Sequence, residues 1–257
     1  MSSIPVCIDI SHHQGYPDFD QVRASGVLGV IHKATEGSNF IDDARAENLA
    51  NAKRAGLGIA TYHWLKPGDA RSQIEFYLSV VDPEQGERVV IDYEEDGCTL
   101  HMLKEAVQAL LDYGSDLQIS VYSGHLLKEQ LGDNVDDFLA EHTDLWLAQY
   151  ASESSISWPS GTYPQWSLWQ YSETGEVPGI DDSYVDLDNF NGSAAEFLRW
   201  INPKGGFPMP VPPPEPSEVV SVAITAPEQV GVRVMINGKV VRHRPLRPAK
   251  RGPDIVR

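Results

Sequence analysis

The sequence contains no uninterrupted apolar run of about 18 residues, the length a membrane-spanning helix requires. Its first residues, Met1-Ser2-Ser3-Ile4-Pro5-Val6-Cys7, supply neither a basic segment followed by an apolar one nor a small-residue cleavage site. The expectation is a chain made in the cytoplasm without a signal peptide. Cysteine is scarce. Cys7 and Cys98 stand far apart, in no metal-ligand or redox spacing, and Cys7 lies inside an apolar strand-like run, so both read as reduced thiols. No glycine-rich phosphate-binding fingerprint occurs, which weakens the case for an open doubly wound sheet. Basic residues are also few, 20 Lys and Arg against 37 Asp and Glu, and they are unevenly placed. Residues 1–206 carry a net charge of −21 and residues 207–257 a net +4, which together give the overall −17. An acidic body lacks the Lys and Arg that phosphate contacts need, so nucleic acid is excluded as its partner. The basic tail could instead meet an anionic wall or membrane surface.

What is present begins with a boundary. Pro208-Met209-Pro210-Val211-Pro212-Pro213-Pro214-Glu215-Pro216 can form neither a helix interior nor a sheet ladder and reads as an extended spacer. It divides a catalytic-size domain, residues 1–206, from a linker, 207–217, and a small basic β-rich module, 218–257. In that module the β-branched runs Val219 to Ile224 and Val230 to Ile236, with Asn237-Gly238 before Lys239-Val240-Val241, signal a hairpin. About 40 residues make a marginal independent fold.

Before the spacer, short apolar β-rich runs recur near residues 5–10, 28–34, 58–64, 88–94, 118–122, 145–149, 167–171 and 184–188. Eight is the strand count of a closed barrel. The early strands start roughly 23 to 30 residues apart, the pace of βα units, and the last two spacings are too short for regular crossover helices. Helix-compatible segments fill the gaps at 18–25, 42–55, 70–81, 99–113 and 123–141, and a last helix at 193–202 closes the domain. The fold class is therefore α/β, an irregular (β/α)5(β)3 TIM-like barrel with a small C-terminal β-rich extension.

In such a barrel the reactive face lies at the C-terminal ends of the strands. Four acidic residues fall there: Asp9 after Val6-Cys7-Ile8, Asp92 and Glu94 after Val89-Val90-Ile91, and Asp186 in Tyr184-Val185-Asp186-Leu187. Alternation along a strand puts Asp92 and Glu94 on the same side with Cα atoms about 6.5–7 Å apart. Two carboxylates that close resist ionising together, so one keeps its proton to higher pH, as the general acid for a glycosidic oxygen must. Glu94, with the longer reach, is the candidate acid and Asp92 its charged partner. An isolated Asp-x-Glu is more often a solvated strand end or a helix cap, and Glu95 and Asp96 fit that description. For the pair itself, the aromatic and amide groups at the other strand ends weigh against it. Tyr62 and Trp64, Tyr122, Trp146 with Gln149 and Tyr150, and Trp169 with Gln170 offer flat faces for sugar C–H groups beside hydrogen-bonding amides.

Several ordered segments then resemble glycoside hydrolase family 25, the lysozymes or muramidases. Asp9-Ile10-Ser11-His12-His13-Gln14-Gly15 is similar to the family's D-x-S-x-x-Q-G start, and His32-Lys33-Ala34-Thr35-Glu36-Gly37 to its K-A-T-x-G segment. Tyr62-His63-Trp64, Asp92-Tyr93-Glu94, Trp146-Leu147-Ala148-Gln149-Tyr150, Trp169-Gln170-Tyr171 and Val185-Asp186-Leu187 continue the series over roughly residues 5 to 202. The resemblance implies hydrolysis of the β-1,4 bond between N-acetylmuramic acid and N-acetylglucosamine in bacterial peptidoglycan. It implies Glu94 as acid/base, Asp9, Asp92 and Asp186 as supporting carboxylates, Gln14 and Lys33 as added substrate-binding residues, and no cofactor or metal. Trp64 stands where the family usually has Phe, and Asp188 where Asn is common. The attacking group stays open among a carboxylate, a water and the substrate's own N-acetyl oxygen, the last being favoured because the expected sugar carries an acetamido group beside the reacting carbon. Two other readings remain: a metal-dependent hydrolase using Asp9, His63, Asp92, Glu94 and Asp186, and a catalytically silent glycan-binding virion module. The cellular expectation is an endolysin of bacteriophage type acting at the wall.

Overall fold

The computed structural model describes residues 5–204, apart from residues 115, 159, 160, 182 and 183, together with the backbone of Met235–Ile236 and Lys239–Val240. The β-branched and apolar runs form eight strands that close on themselves, β1 (Cys7–Ile10), β2 (Gly29–Glu36), β4 (Gly58–Trp64), β5 (Arg88–Asp92), β6 (Gln118–Ser123), β7 (Thr143–Ala148), β8 (Leu168–Gly175) and β9 (Val185–Phe190). A two-residue strand, β3 (Phe40–Ile41), adds antiparallel to the end of β2. Each strand from β1 to β8 runs parallel to its barrel neighbour, and β9 joins β8 to β1 antiparallel on both sides. The short connection explains that reversal. A parallel return needs a crossover of about a dozen residues or more, usually helical, and the residues between Gly175 and Val185 do not provide one.

Helices α1 (Phe19–Ala24), α2 (Arg45–Arg54), α3 (Ala70–Val81) and α4 (Leu100–Asp112) follow β1, β2, β4 and β5. Side chains of Asp18, Asp69 and Thr99 accept backbone N–H groups at the starts of α1, α3 and α4, which is why these helices begin where they do. The helical stretch expected at 123–141 is two helices, α5 (His125–Leu131) and α6 (Asp137–His142). Gly132 causes the break by taking φ 53°, where a side chain would be strained, and by ending α5 with its N–H on Lys128 O. Between β7 and β8 the described residues form one short helical element, the 3-10 turn Glu153–Ser155.

Alternation along the strands sorts their side chains into two shells. Val89 and Ile91 of β5 pack outward with Ile74, Leu103 and Val107 of α3 and α4, while Val90 faces inward with Ile31, Tyr122 and Trp146. Asp92 follows Val90 on the inward side and so reaches the barrel mouth. The opposite end is plugged by α7 (Ala194–Ile201), whose Ser193 and Glu196 form a capping box. Its Phe197 and Ile201 are fully buried, a contribution of about 1.5–3 kcal/mol each. Gly29 and Gly58, paired across β2 and β4, permit this approach, because a Cβ at Gly29 would lie 2.7 Å from atoms of both Phe197 and Ile201.

The chain divides into two compact units, Met1–Glu215 and Pro216–Arg257. In the second, β10 (Met235–Ile236) pairs antiparallel with β11 (Lys239–Val240), flanking the Asn237-Gly238 turn signal. The 207–217 linker and the remainder of the basic module lie outside the described residues.

Candidate active site

Asp92 is the last residue of β5 and is buried, with Oδ1 unpaired. Tyr93 turns outward, where its hydroxyl donates to Gln130 Oε1 at 2.7 Å, and Glu94 returns to the mouth. The two carboxylates thus face one cleft of about 270 Å³ together with Asp9 and Asp186. Burial first and the charge of Glu94 second push the Asp92 carboxyl well above its ordinary value. Burial, then Asp186, raise Glu94, which is only partly enclosed. Ionising both would place two charges in a poorly solvated site, so the pair retains a proton above the normal carboxylate range.

Asp9 and Asp186 are cross-strand partners in β1 and β9. A hydrogen bond joins the two carboxyls, with burial and then the Asp186 charge raising Asp9, and burial lifting Asp186 to about 6. Asp9 Oδ2 also accepts from Gln170 Nε2 at 2.9 Å. Gln170 Oε1 in turn accepts from the hydroxyls of Tyr122 at 2.8 Å and Tyr150 at 3.0 Å. Because both phenols donate, the amide orientation is set and its NH₂ must point at Asp9. Beneath them Asp188 is fully buried: its Oδ1 accepts from Trp146 Nε1 at 2.8 Å, and a carboxyl–carboxyl hydrogen bond links it to Asp9. Burial is the main cause that raises this carboxyl well above the ordinary Asp value.

The cleft wall is aromatic. Tyr62, Trp64, Tyr122, Trp146 and Tyr150 line it, Tyr150 being the most exposed. Trp64 is fixed from three sides. Its Nε1 donates to Glu95 Oε2 at 3.2 Å, and the ammonium groups of Lys33 and Lys66 lie 4.5 and 5.8 Å from its ring centroid. Those lysines are themselves tied to Glu36 and Glu95.

Of the residues expected from sequence, Asp9, Asp92, Glu94, Asp186, Tyr62, Trp64, Tyr122, Trp146, Tyr150 and Gln170 share the cleft. Four others, Gln14, Lys33, Gln149 and Trp169, lie outside its lining. Gln14 caps the 3-10 turn His12–Gln14 and donates to Tyr184 O, Lys33 acts on Trp64 from behind, and Trp169 packs with the outer shell while its Nε1 donates to Gln149 O. Gln149 lines an adjoining groove. His63 faces α3 rather than the mouth, its Nδ1 bonded to Thr35 Oγ1 at 2.8 Å and its ring 5.8 Å from Tyr77. The metal-centred alternative thereby loses its nitrogen ligand. Glu173 was not anticipated. It lines the cleft from β8 because two register shifts, between Gln170 and Ser172 and between Ser172 and Gly175, break the alternation that sequence reading assumes. Glu95, expected to be merely solvated, holds the Trp64 indole.

A closed α/β barrel whose mouth gathers carboxylates between aromatic walls defines a glycosidase-type site. Residues 8–180 match the profile of Glycosyl hydrolases family 25, and the chain belongs to that family. It is a glycoside hydrolase. It is 33% identical over 191 residues to the autolytic lysozyme of Clostridium acetobutylicum, a match covering 72% of this chain and 55% of that protein. It is 28% identical over 211 residues to lysozyme M1 of Streptomyces globisporus, covering 76% of this chain and 70% of that one. Among solved structures, the bacterial lysozyme from Streptomyces coelicolor superimposes with a TM-score of 0.67 at 27% identity, over 80% of this chain and all of that one.

Proposed function

We propose that the chain is a lysozyme that hydrolyses the β-1,4 bond between N-acetylmuramic acid and N-acetylglucosamine in peptidoglycan, with Glu94 as general acid/base. The observation that carries this reading is the pairing of buried Asp92 with the more accessible Glu94 at one strand end, inside an aromatic cleft. Access decides between the two, since the acid must reach the glycosidic oxygen, and Glu94 is the less enclosed. Asp92 orients the substrate, holding the acetamido group so that its oxygen attacks the anomeric carbon. Asp9, Asp186 and Gln170 stabilise the positive charge that develops on the sugar ring. Trapping a covalent glycosyl adduct on Asp92 or Asp9 would overturn the substrate-assisted route.

Digestion of purified peptidoglycan, borohydride reduction and mass spectrometry test the reading: muramitol is expected, and glucosaminitol or no new reducing end would refute it. Glu94→Gln is expected to fold normally and lose about 10²–10⁴-fold in rate. In its cellular setting the reading extends to an endolysin that meets the wall once the membrane is breached, and release into the medium of intact cells would contradict that. The residues Arg242, His243, Arg244, Arg247, Lys250 and Arg251 give the C-terminal segment a basic character suited to anionic wall polymer. Loss of salt-sensitive wall binding on deletion of residues 207–257 is the expected result.

A further inference from the structure

Beside the carboxylate cleft lies a second groove of about 310 Å³, and Glu94, Tyr122 and Tyr150 line both. The two differ in charge. Asp9, Asp92, Glu94, Glu173 and Asp186 line the cleft, with no Lys, Arg or His among its lining residues. In the second groove Glu94 is the lone acid, accompanied by His125 and Lys128 of α5. Among the described residues no carboxylate lies within ion-pair distance of either one, although this domain is strongly acidic. Lys128 Nζ donates to the backbone O and the Oγ of Ser157, which leaves one of its three N–H groups unused. The facing wall is also set: Gln149 accepts from Ser157 N at 3.3 Å, and the adjacent Trp158 has its Nε1 buried with no acceptor among the described residues. An ammonium with one N–H unused and no carboxylate beside it gives this groove the opposite character to the acidic cleft next to it, that of a site for an anion.

We propose that this groove recognises a carboxylate of the substrate, with Lys128 as the charged anchor and His125 as a further donor. The inference rests on the lysozyme reading, because peptidoglycan is a glycan that carries carboxylates, either on the lactyl ether of muramic acid or on the peptide stem attached there. An anionic substituent is repelled from the cleft, where Asp9, Asp92, Glu173 and Asp186 gather, and accepted in the groove. That asymmetry fixes how the strand lies across Glu94, and it makes Lys128 a specificity residue.

The test compares three soluble glycan strands: strands with peptide stems, strands stripped by an amidase so that the lactyl carboxylate is free, and the same strands with every carboxylate converted to a methylamide. Equilibrium binding is measured by titration calorimetry in a Glu94→Gln background, and KM and kcat in the otherwise native chain. Lys128→Ala and Lys128→Gln, the latter able to keep a bond to Ser157, are expected to weaken binding and raise KM about tenfold on carboxylate-bearing strands, with kcat little changed. The native side chain should lose a similar factor on methylamide strands, where the variants lose nothing further. Lys128→Arg should retain most of the affinity. Loss confined to stem-bearing strands identifies the stem as the source of the carboxylate, and loss confined to stripped strands identifies the lactyl group. Equal losses on charged and methylamide strands would overturn the proposal. Failure of the native chain to release muramic reducing ends would refute the lysozyme reading instead, while the binding comparison would still decide whether the groove selects a carboxylate.

Discussion

Asp186→Asn is expected to change how stability depends on pH, in a direction set by the acid cluster. Burial raises this carboxyl from 3.8 to about 6, while the hydrogen bond from Asp9 works against the rise. A shift of about two units is worth about 3 kcal/mol at 1.36 kcal/mol per unit, and partial solvent access reduces this to about 1–2 kcal/mol. The folded state holds its proton longer than the unfolded chain, so the stability associated with Asp186 is complete below the unfolded value near 3.8 and is lost as pH rises through about 6. Asparagine has no such term. Urea unfolding of both proteins at about pH 3.5 and about pH 7.5 should show the variant gaining about 1–2 kcal/mol on the native chain between the two conditions. Asp9 acts in the same direction, because burial and then the Asp186 charge raise it, and removing that charge lets it ionise earlier. His63, buried and lowered to about 4, titrates in both proteins and cancels in the difference. A double difference of zero, or of opposite sign, would refute the claim that burial disfavours the charged form of Asp186 and costs the fold stability once that form prevails.

Other expectations follow from packing and access. Trp64→Ala removes a ring braced by Lys33, Lys66 and Glu95, and should raise KM on glycan strands about three- to tenfold with a smaller effect on kcat, as steady-state kinetics would show. Gly58→Ala places a Cβ about 2.5 Å from Ile201 Cγ2 and should cost about 1–3 kcal/mol by urea titration. Cys7 and Cys98 are free and buried, with burial the main cause raising both thiols, so a thiol reagent should label neither in the native protein at neutral pH and both in denaturant.

Regular repetition made most of the barrel readable. The runs at 58–64, 88–94 and 118–122 are apolar, β-branched and evenly spaced, and they became β4, β5 and β6 with near-matching bounds. The helix expected over 70–81 is α3, residue for residue, because Asp69 caps its start and Asp82 ends it in a left-handed turn at φ 47°. Legibility faded where one residue overrides periodicity, as at Gly132, and where the chain is too short to cross over, as before β9. Neither the antiparallel entry of β9 nor its closure against β1 has a local signature, since strand direction depends on the length of the connection and not on the strand's own residues.

The site divides along the same line. Asp9, Asp92 and Asp186 could be found because each sits in a regular strand, where inward and outward positions alternate and an acid after an apolar run must point into the mouth. Glu173 could not, because the shifts in β8 change which face its side chain meets. Asp188 is subtler: parity from Asp186 places it inward, but only the packed barrel shows it sealed beneath Asp9, with one oxygen on Trp146 and its carboxyl linked to that of Asp9. An Asn there would keep the bond to Trp146 and need no proton to stay neutral, so Asp188 introduces a titratable group where a neutral amide would serve the same contact. The sequence identifies the acids, and the burial decides which of them can be charged. A cluster of this kind, with Asp9 linked to Asp186 and Asp188 and bonded to Gln170, exchanges its protons as a unit, so the charge at the mouth depends on all of its members rather than on the Asp92–Glu94 pair alone.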